Sequence, residues 1–391
     1  MTAETAHNAS SIERQQFTLA VLPGDGTGPS VIAQALKVLA EVEASRPVDF
    51  KLREGLIGAA ALKQCGVSLP DETLALCRSS DAVLLGAVGD PDWDLRADAD
   101  EQPAVALLRL RKKLDLYANV RPVRLSPSMS SLSYLTSRAL AGGVDLLIVR
   151  EMSGGLFFGE PRGVRQSGPP WNEEEAYDSM TFRRSQVERV GRVAFSFAQQ
   201  RRRHLTSVDQ ANVLTSSRLW RESMESLASD YPAVRLEHLY IDNCANALVR
   251  QPFEFDVLVT DGLFGGILSD EAAGIVGSIG MLPSASVGDG RIGLFEPVHG
   301  SVPKHTGLDR VNPVAAIRSL ALLFQMGFGL RAEAEIIEEA ISQVIGTGLR
   351  TYDIALPSEG IIGTEAMGDA IAQQTSRLLQ ERSFDRQTAI D

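Results

Sequence analysis

The segment from Phe295 to Pro313 concentrates side chains and backbone suited to holding a charged ligand. Three prolines and two glycines interrupt it ahead of a hydrophobic run, which predicts a long ordered loop feeding the N-terminus of a helix. Backbone N–H groups at Gly300 and Ser301, beside the cations Lys304 and Arg310, would suit a phosphate-bearing ligand such as a nucleotide. On composition alone, a compact surface loop with no ligand is the alternative. Arginine supplies the second candidate chemistry. Arg111 and Arg121 lie ten residues apart across an expected helix-to-strand junction, and Arg150 precedes Glu151 at the end of an apolar run. Planar guanidinium groups recognise carboxylates with two parallel hydrogen bonds, and the carboxyl ends of parallel strands are where open α/β sheets gather ligand contacts. Solvated surface arginines would satisfy the same pattern. The turn Pro23-Gly24-Asp25-Gly26-Thr27-Gly28-Pro29 almost spells the dinucleotide fingerprint, but the last required glycine falls on Pro29.

Rigid elements must hold these groups. Phe17 to Leu22 reads as a strand, and after the glycine turn Val31, Ile32, Ala35, Leu36, Val38 and Leu39 recur at helical spacing. Ala82 to Val88 and Val144 to Val149 are nearly continuous apolar runs, the pattern of parallel strands buried on both faces. Leu107, Leu110, Leu114 and Tyr117 are spaced as one helical stripe, with Arg111 one turn from Leu107. Arg184 to Gln200 has helical periodicity, Leu205 to Leu214 runs from strand into loop, and Arg235 to Ile241 and Phe255 to Val259 read as strands. Arg165 to Tyr177 is rich in Gly, Pro and Glu and reads as a linker or arm. Ile336 to Ile345 is an amphipathic helix.

At 391 residues the chain is long enough for two domains. A formal charge of -12 argues against nucleic acid or an anionic membrane as the main partner, so an anionic ligand needs a local arginine cluster. Cys65, Cys77 and Cys244 have no CxxC spacing and cannot all pair, which fits a reducing cytoplasm. Residues 1–16 are polar, lack an apolar signal segment and read as a disordered tail. The apolar run Leu320 to Leu330 is too short to span a bilayer.

The turn opening at Leu22, the loop from Phe295 and most of the chain between Leu22 and about Ala366 resemble the β-decarboxylating dehydrogenases. That family oxidises 3-isopropylmalate, isocitrate, homoisocitrate or tartrate. The resemblance implies a two-domain α/β fold with parallel-rich sheets, distinct from the Rossmann fold. Residues 17–115 and 276–391 would form the nucleotide-binding domain, and 116–275 the second domain with its arm and dimer interface. It places Arg111, Arg121 and Arg150 in the clamp for a malate-type diacid, and Leu107 and Leu108 in the pocket for a branched alkyl substituent. The short segment Leu156-Phe157-Phe158-Gly159-Glu160-Pro161-Arg162-Gly163 matches the family except that Phe157 stands where the proton-donating tyrosine is expected. Ser207-Val208-Asp209-Gln210-Ala211-Asn212-Val213-Leu214 has Gln210 at the catalytic lysine position. Phe264-Gly265-Gly266-Ile267-Leu268-Ser269-Asp270 retains Asp270 of a carboxylate pair for Mg²⁺ or Mn²⁺ but has Gly266 for the other, with Asp261 nearby as a possible substitute oxygen donor. Asp242 matches a carboxylate that serves the partner subunit's metal site.

Cofactor contacts are expected from His299, Gly300, Ser301, Val302, Lys304, His305 and Asn312. The pair Lys304-His305 resembles the arrangement that selects NADP, with NAD the other option. The implied activity is the oxidative decarboxylation of a 2-hydroxy acid in a homodimer. Oxidation of this type needs a base, a cation to polarise oxygen and a final acid; Phe157, Gln210 and Gly266 alter all three. Two alternatives follow: a silent paralogue acting as a regulatory or structural subunit, in a heteromer with an active relative, or an enzyme of changed reaction on a related acid.

Overall fold

The computed structural model describes residues 14–95, 101–357 and 359–388, the last six of these by backbone alone. Most of the expected N-terminal tail, residues 1–13, lies outside the described residues. Gln15 and Gln16 belong instead to the first strand, because Gln15 is in register with Val48.

Ten strands form one continuous sheet: β1 (Gln15–Gly24), β2 (Val48–Glu54), β3 (Ala82–Ala87), β4 (Ala118–Leu125), β5 (Val144–Glu151), β8 (His204–Asp209), β9 (Arg235–Tyr240), β10 (Val257–Thr260), β11 (Pro283–Val287) and β12 (Gly293–Pro297). A separate antiparallel hairpin, β6 (Gly163–Gln166) with β7 (Glu174–Tyr177), occupies the stretch expected to be an arm. The sheet order is β2-β1-β3-β12-β11-β4-β5-β10-β8-β9. Strands from the two chain ends therefore make one half and strands from the middle of the chain the other. The halves meet where β11 pairs antiparallel with β4 through Ala285↔Val120, Ser286↔Asn119 and Val287↔Ala118. Elsewhere the pairing is parallel except β11–β12 and β4–β5.

Strands β3 and β10, apolar but for Thr260, are buried at every position as their sequences require, and so is β12 although it carries Glu296. Helix Val314–Leu323 is buried along its whole length, including Arg318 and Ser319, and packs on β11, β12 and helix Gly28–Ser45. Helix Arg184–Gln200 buries Val187, Val190, Ala194, Phe195 and Ala198 in a second cluster with Trp220 and Met224.

One expected element ends early. The helix carrying Arg111 runs Pro103–Lys113, so Tyr117 is outside it and the stripe stops at Leu110. Asp115 takes a left-handed φ of 52° that breaks the helix and lets Leu116 donate to the Arg111 carbonyl at 2.9 Å. Tyr117 instead donates to Asp289 at 2.7 Å, with the Arg189 guanidinium over its ring.

Candidate functional site

The three arginines arrive from three elements. Arg111 occupies the last turn of helix Pro103–Lys113, Arg121 lies within β4, and Arg150 is next to last in β5. All are buried, with 6%, 9% and 5% exposure. β4 and β5 run antiparallel with Asn119 opposite Arg150, which brings the C-terminal end of β5 beside the N-terminal end of β4. Each guanidinium is held by a different partner. Arg111 pairs with Glu296 of β12, and Arg121 donates to Asn119 Oδ1 at 2.9 Å and Ser269 Oγ at 2.6 Å. Arg150 donates to the Gly262 carbonyl at 2.6 Å.

Two donors are left over. The Nε atoms of Arg111 and Arg150 are buried without a hydrogen-bond partner, an arrangement that costs stability unless an incoming acceptor satisfies them. Burial, reinforced by repulsion from Arg111, pushes Arg121 down to about 10. Burial also carries Arg150 well below its ordinary value, with Arg121 and Arg111 adding to the shift. The three groups thus lie near enough to repel one another, and an anion among them relieves that repulsion.

Of the positions expected to be substituted, Phe157 and Gly266 lie beside this cluster and Gln210 does not. The Phe157 ring packs on Gly262, where an added Cβ would approach it to 3.2 Å, so it lies beside the carbonyl that holds Arg150. Gly266 is on the face of helix Gly262–Ile275 turned towards Arg150, where a Cβ would stand 3.3 Å from Nη2. Gly265 is required by the same packing, because a Cβ there would meet Arg150 Cγ at 2.4 Å. Asp270, one turn on from Gly266, is exposed and reaches only 3.9 Å from Arg121. Asp261 caps the helix, accepting from the Phe264 amide at 2.9 Å, and its burial pushes its carboxyl up to about 6. Gln210 follows β8, with a buried Oε1 that has no partner, and Asp242 is exposed in the first turn of helix Ile241–Arg250. These two follow β8 and β9, two and three strands away from β5, or about 10 and 14 Å across the sheet.

Leu107 packs partly against the core around Leu110, while Leu108, on the next helical position, is half-buried and outside that cluster.

The loop after β12 lies against the glycine turn. Thr27 donates from both N and Oγ1 to the Ser301 carbonyl, at 2.8 and 3.0 Å, and Ser301 Oγ donates to the Gly89 carbonyl at 2.6 Å. Gly24 and Gly26 have positive φ, and Cβ atoms there would meet the carbonyls of Ala87 at 2.0 Å and Ser301 at 2.2 Å. The glycines therefore serve backbone contact between two loops. Asp25 sits at the centre of this junction, its carboxylate accepting from Ala59, Ala60 and Gly89 amides.

His299 is buried, with Nδ1 2.9 Å from the Gly300 carbonyl and Nε2 unpartnered; burial lowers its pKa and favours the neutral ring. Gly300 faces open space. Val302 adopts a left-handed φ of 40°, Lys304 is exposed, and His305 is half-buried. Asn312 is buried and engaged internally, donating to Asp353 at 3.1 Å and capping Val314 at 3.0 Å. Arg310 stacks its guanidinium on Tyr352, 3.6 Å from the ring centroid.

Sequence reasoning had assigned no role to Glu296, Asn119, Ser269 or Asp25. A signal existed for one of them: Glu296 is a polar residue inside the otherwise apolar β12, where a buried partner is required. Among the described residues, no three His, Cys, Asp or Glu side chains converge as a metal site would need. The three cysteines are unpaired, and among the described residues no helix is long and apolar enough to cross a membrane.

Residues 18–371 match the isocitrate/isopropylmalate dehydrogenase family. The chain is 48% identical over 358 residues to the 3-isopropylmalate dehydrogenase of Moorella thermoacetica, covering 92% of this chain and 99% of that one. It is 46% identical over 366 residues to the enzyme of the same name from Aquifex aeolicus, covering 93% and 98%. Among solved structures it resembles isocitrate dehydrogenase from Methylococcus capsulatus, with a TM-score of 0.80, 32% identity and coverage of 92% and 99%. A β-decarboxylating dehydrogenase of Thermococcus kodakarensis gives 0.73 and 35%, covering 93% and 97%. With this sheet order and match along its length, the chain belongs to the isocitrate/isopropylmalate dehydrogenase family.

Proposed function

We propose that the chain binds a 2-hydroxy diacid of the 3-isopropylmalate type together with NAD or NADP, and that its oxidative decarboxylation is slow or altered. The observation carrying this reading is the convergence of Arg111, Arg121 and Arg150, with two buried Nε donors unpartnered. Two carboxylates would satisfy those donors, and half-buried Leu108 would face an alkyl substituent.

The loop after β12 is proposed to take the nucleotide. A neutral His299 that donates through Nδ1 keeps Nε2 as a buried acceptor, Gly300 leaves room for close approach, and exposed Lys304 suits a 2'-phosphate. A bound nicotinamide would supply the hydride acceptor. The chain's own residues would orient the diacid through the guanidinium groups and exclude water with the Phe157 ring. Phe157 carries no proton to donate, and the Gln210 amide can hydrogen-bond but cannot take up a proton. The donor set does not fit a divalent cation well, since Gly266 contributes no oxygen.

The two sheet halves are proposed as the two domains, 17–115 with 276–391 and 116–275. A homodimer is supported by the position of Gln210 and Asp242, two and three strands from β5, which leaves them free to serve a second copy. The exposed Val164 and Trp171 of the hairpin arm support it too. A cytoplasmic setting is consistent with the three free thiols. The same observations support a second reading, a catalytically silent subunit paired with an active relative, because the ligand clamp is built while the proton-handling positions are inert.

The test is to mix purified protein with 3-isopropylmalate, Mg²⁺ and NAD or NADP and follow the absorbance of the reduced nicotinamide. Turnover roughly 10²- to 10⁴-fold below a relative with tyrosine and lysine is expected. Turnover at the relative's rate would refute the reading of Phe157, Gln210 and Gly266.

A further inference from the structure

The site on which the proposed function rests keeps three buried arginines and has glycine at position 266. We infer that this chain binds its hydroxy diacid without a divalent metal, the Arg150 guanidinium meeting the ligand's negative charge beside the position of Gly266.

Three features of the geometry carry this. First, Arg150 lies along helix Gly262–Ile275, over Gly265 and Gly266, with Nη2 3.3 Å from where a Cβ of residue 266 would stand. A carboxylate at 266 would start from that point, beside Arg150 and one helical turn from Asp270. With glycine there, a cation held by Asp270 would lose that carboxylate's attraction while the buried Arg150 charge stayed close by. Second, Asp270 is already within 3.9 Å of Arg121, and Asp261 spends its carboxylate on the helix cap at Phe264. Even with Asp242 supplied by a second copy, position 266 contributes no side-chain oxygen. Third, buried Nε atoms of Arg111 and Arg150 await acceptors, and the two carboxylates of a malate-type ligand supply them without help from a metal.

Isothermal titration of the full-length protein with 3-isopropylmalate, once in excess EDTA and once in excess MgCl₂, decides the matter. Affinity equal within about twofold in both buffers is expected, with no heat from MgCl₂ alone. Tightening by about tenfold or more in MgCl₂ would overturn the inference and leave the proposed ligand standing. No binding in either buffer would overturn both. Gly266→Asp is expected to make binding Mg²⁺-dependent, and Arg150→Met to abolish binding in EDTA while circular dichroism stays native. Persistence of EDTA binding in folded Arg150→Met would also refute the role given to Arg150.

Discussion

Removing Glu296 leaves the buried Arg111 guanidinium without its counter-ion, a change that costs about 3–5 kcal/mol in comparable buried pairs. Glu296→Ala is therefore expected to lower unfolding free energy by that amount in denaturant titration, and Arg111→Met with Glu296→Leu to recover most of it. Asp261 adds a pH signature. Burial raises its carboxyl from 3.8 to about 6, so the folded chain keeps a proton that the unfolded chain has released. The stability lent by this proton is present in full below 3.8 and disappears as pH climbs through about 6. Asp261→Asn keeps a capping oxygen, and its melting temperature is expected to vary less than the parent's across that window. Catalysis is tested by combining Phe157→Tyr, Gln210→Lys and Gly266→Asp. A rise in nicotinamide reduction of roughly 10²-fold or more is expected, and the single changes are expected to give far less because such groups act as a unit. The three arginines were legible from residue types, and the structure brings Arg111, Arg121 and Arg150 together as buried neighbours. Their supports were not, because Glu296, Asn119 and Ser269 come from distant strands and helices that only the fold brings together.

Elements locate the groups that residues provide. Apolar periodicity marked the buried strands and the helix at 184–200 because burial on two faces or one stripe leaves a direct sequence trace. It overextended the helix beyond Lys113, since a left-handed Asp115 is a local backbone event with no periodic signature. The glycine turn was more informative than its near-fingerprint suggested. Its spacing reflects contact with β3 and with Ser301, and no phosphate is needed to explain it. Gly26→Ala, with a Cβ 2.2 Å from the Ser301 carbonyl and an unfavourable φ of 58°, is expected to part the two loops. Nucleotide affinity measured by fluorescence of the reduced cofactor should fall, while Gly66→Ala, strained but in open space, should leave it unchanged.

At the scale of the molecule, the hairpin arm at 163–177 adds no strand to the main sheet and has exposed apolar side chains. Replacing it by a short glycine linker is expected to convert the proposed dimer to a monomer in sedimentation. The seam between β11 and β4 has a different consequence. It joins the sheet halves through three residue pairs, and Arg111 with Glu296 lies on one side while Arg121 and Arg150 lie on the other. A diacid seated across them would act as a strut between two plates. Occupancy would then show as slower amide exchange at Ala285 and Val287 and as added heat resistance, even in a preparation that reduces no nicotinamide at all.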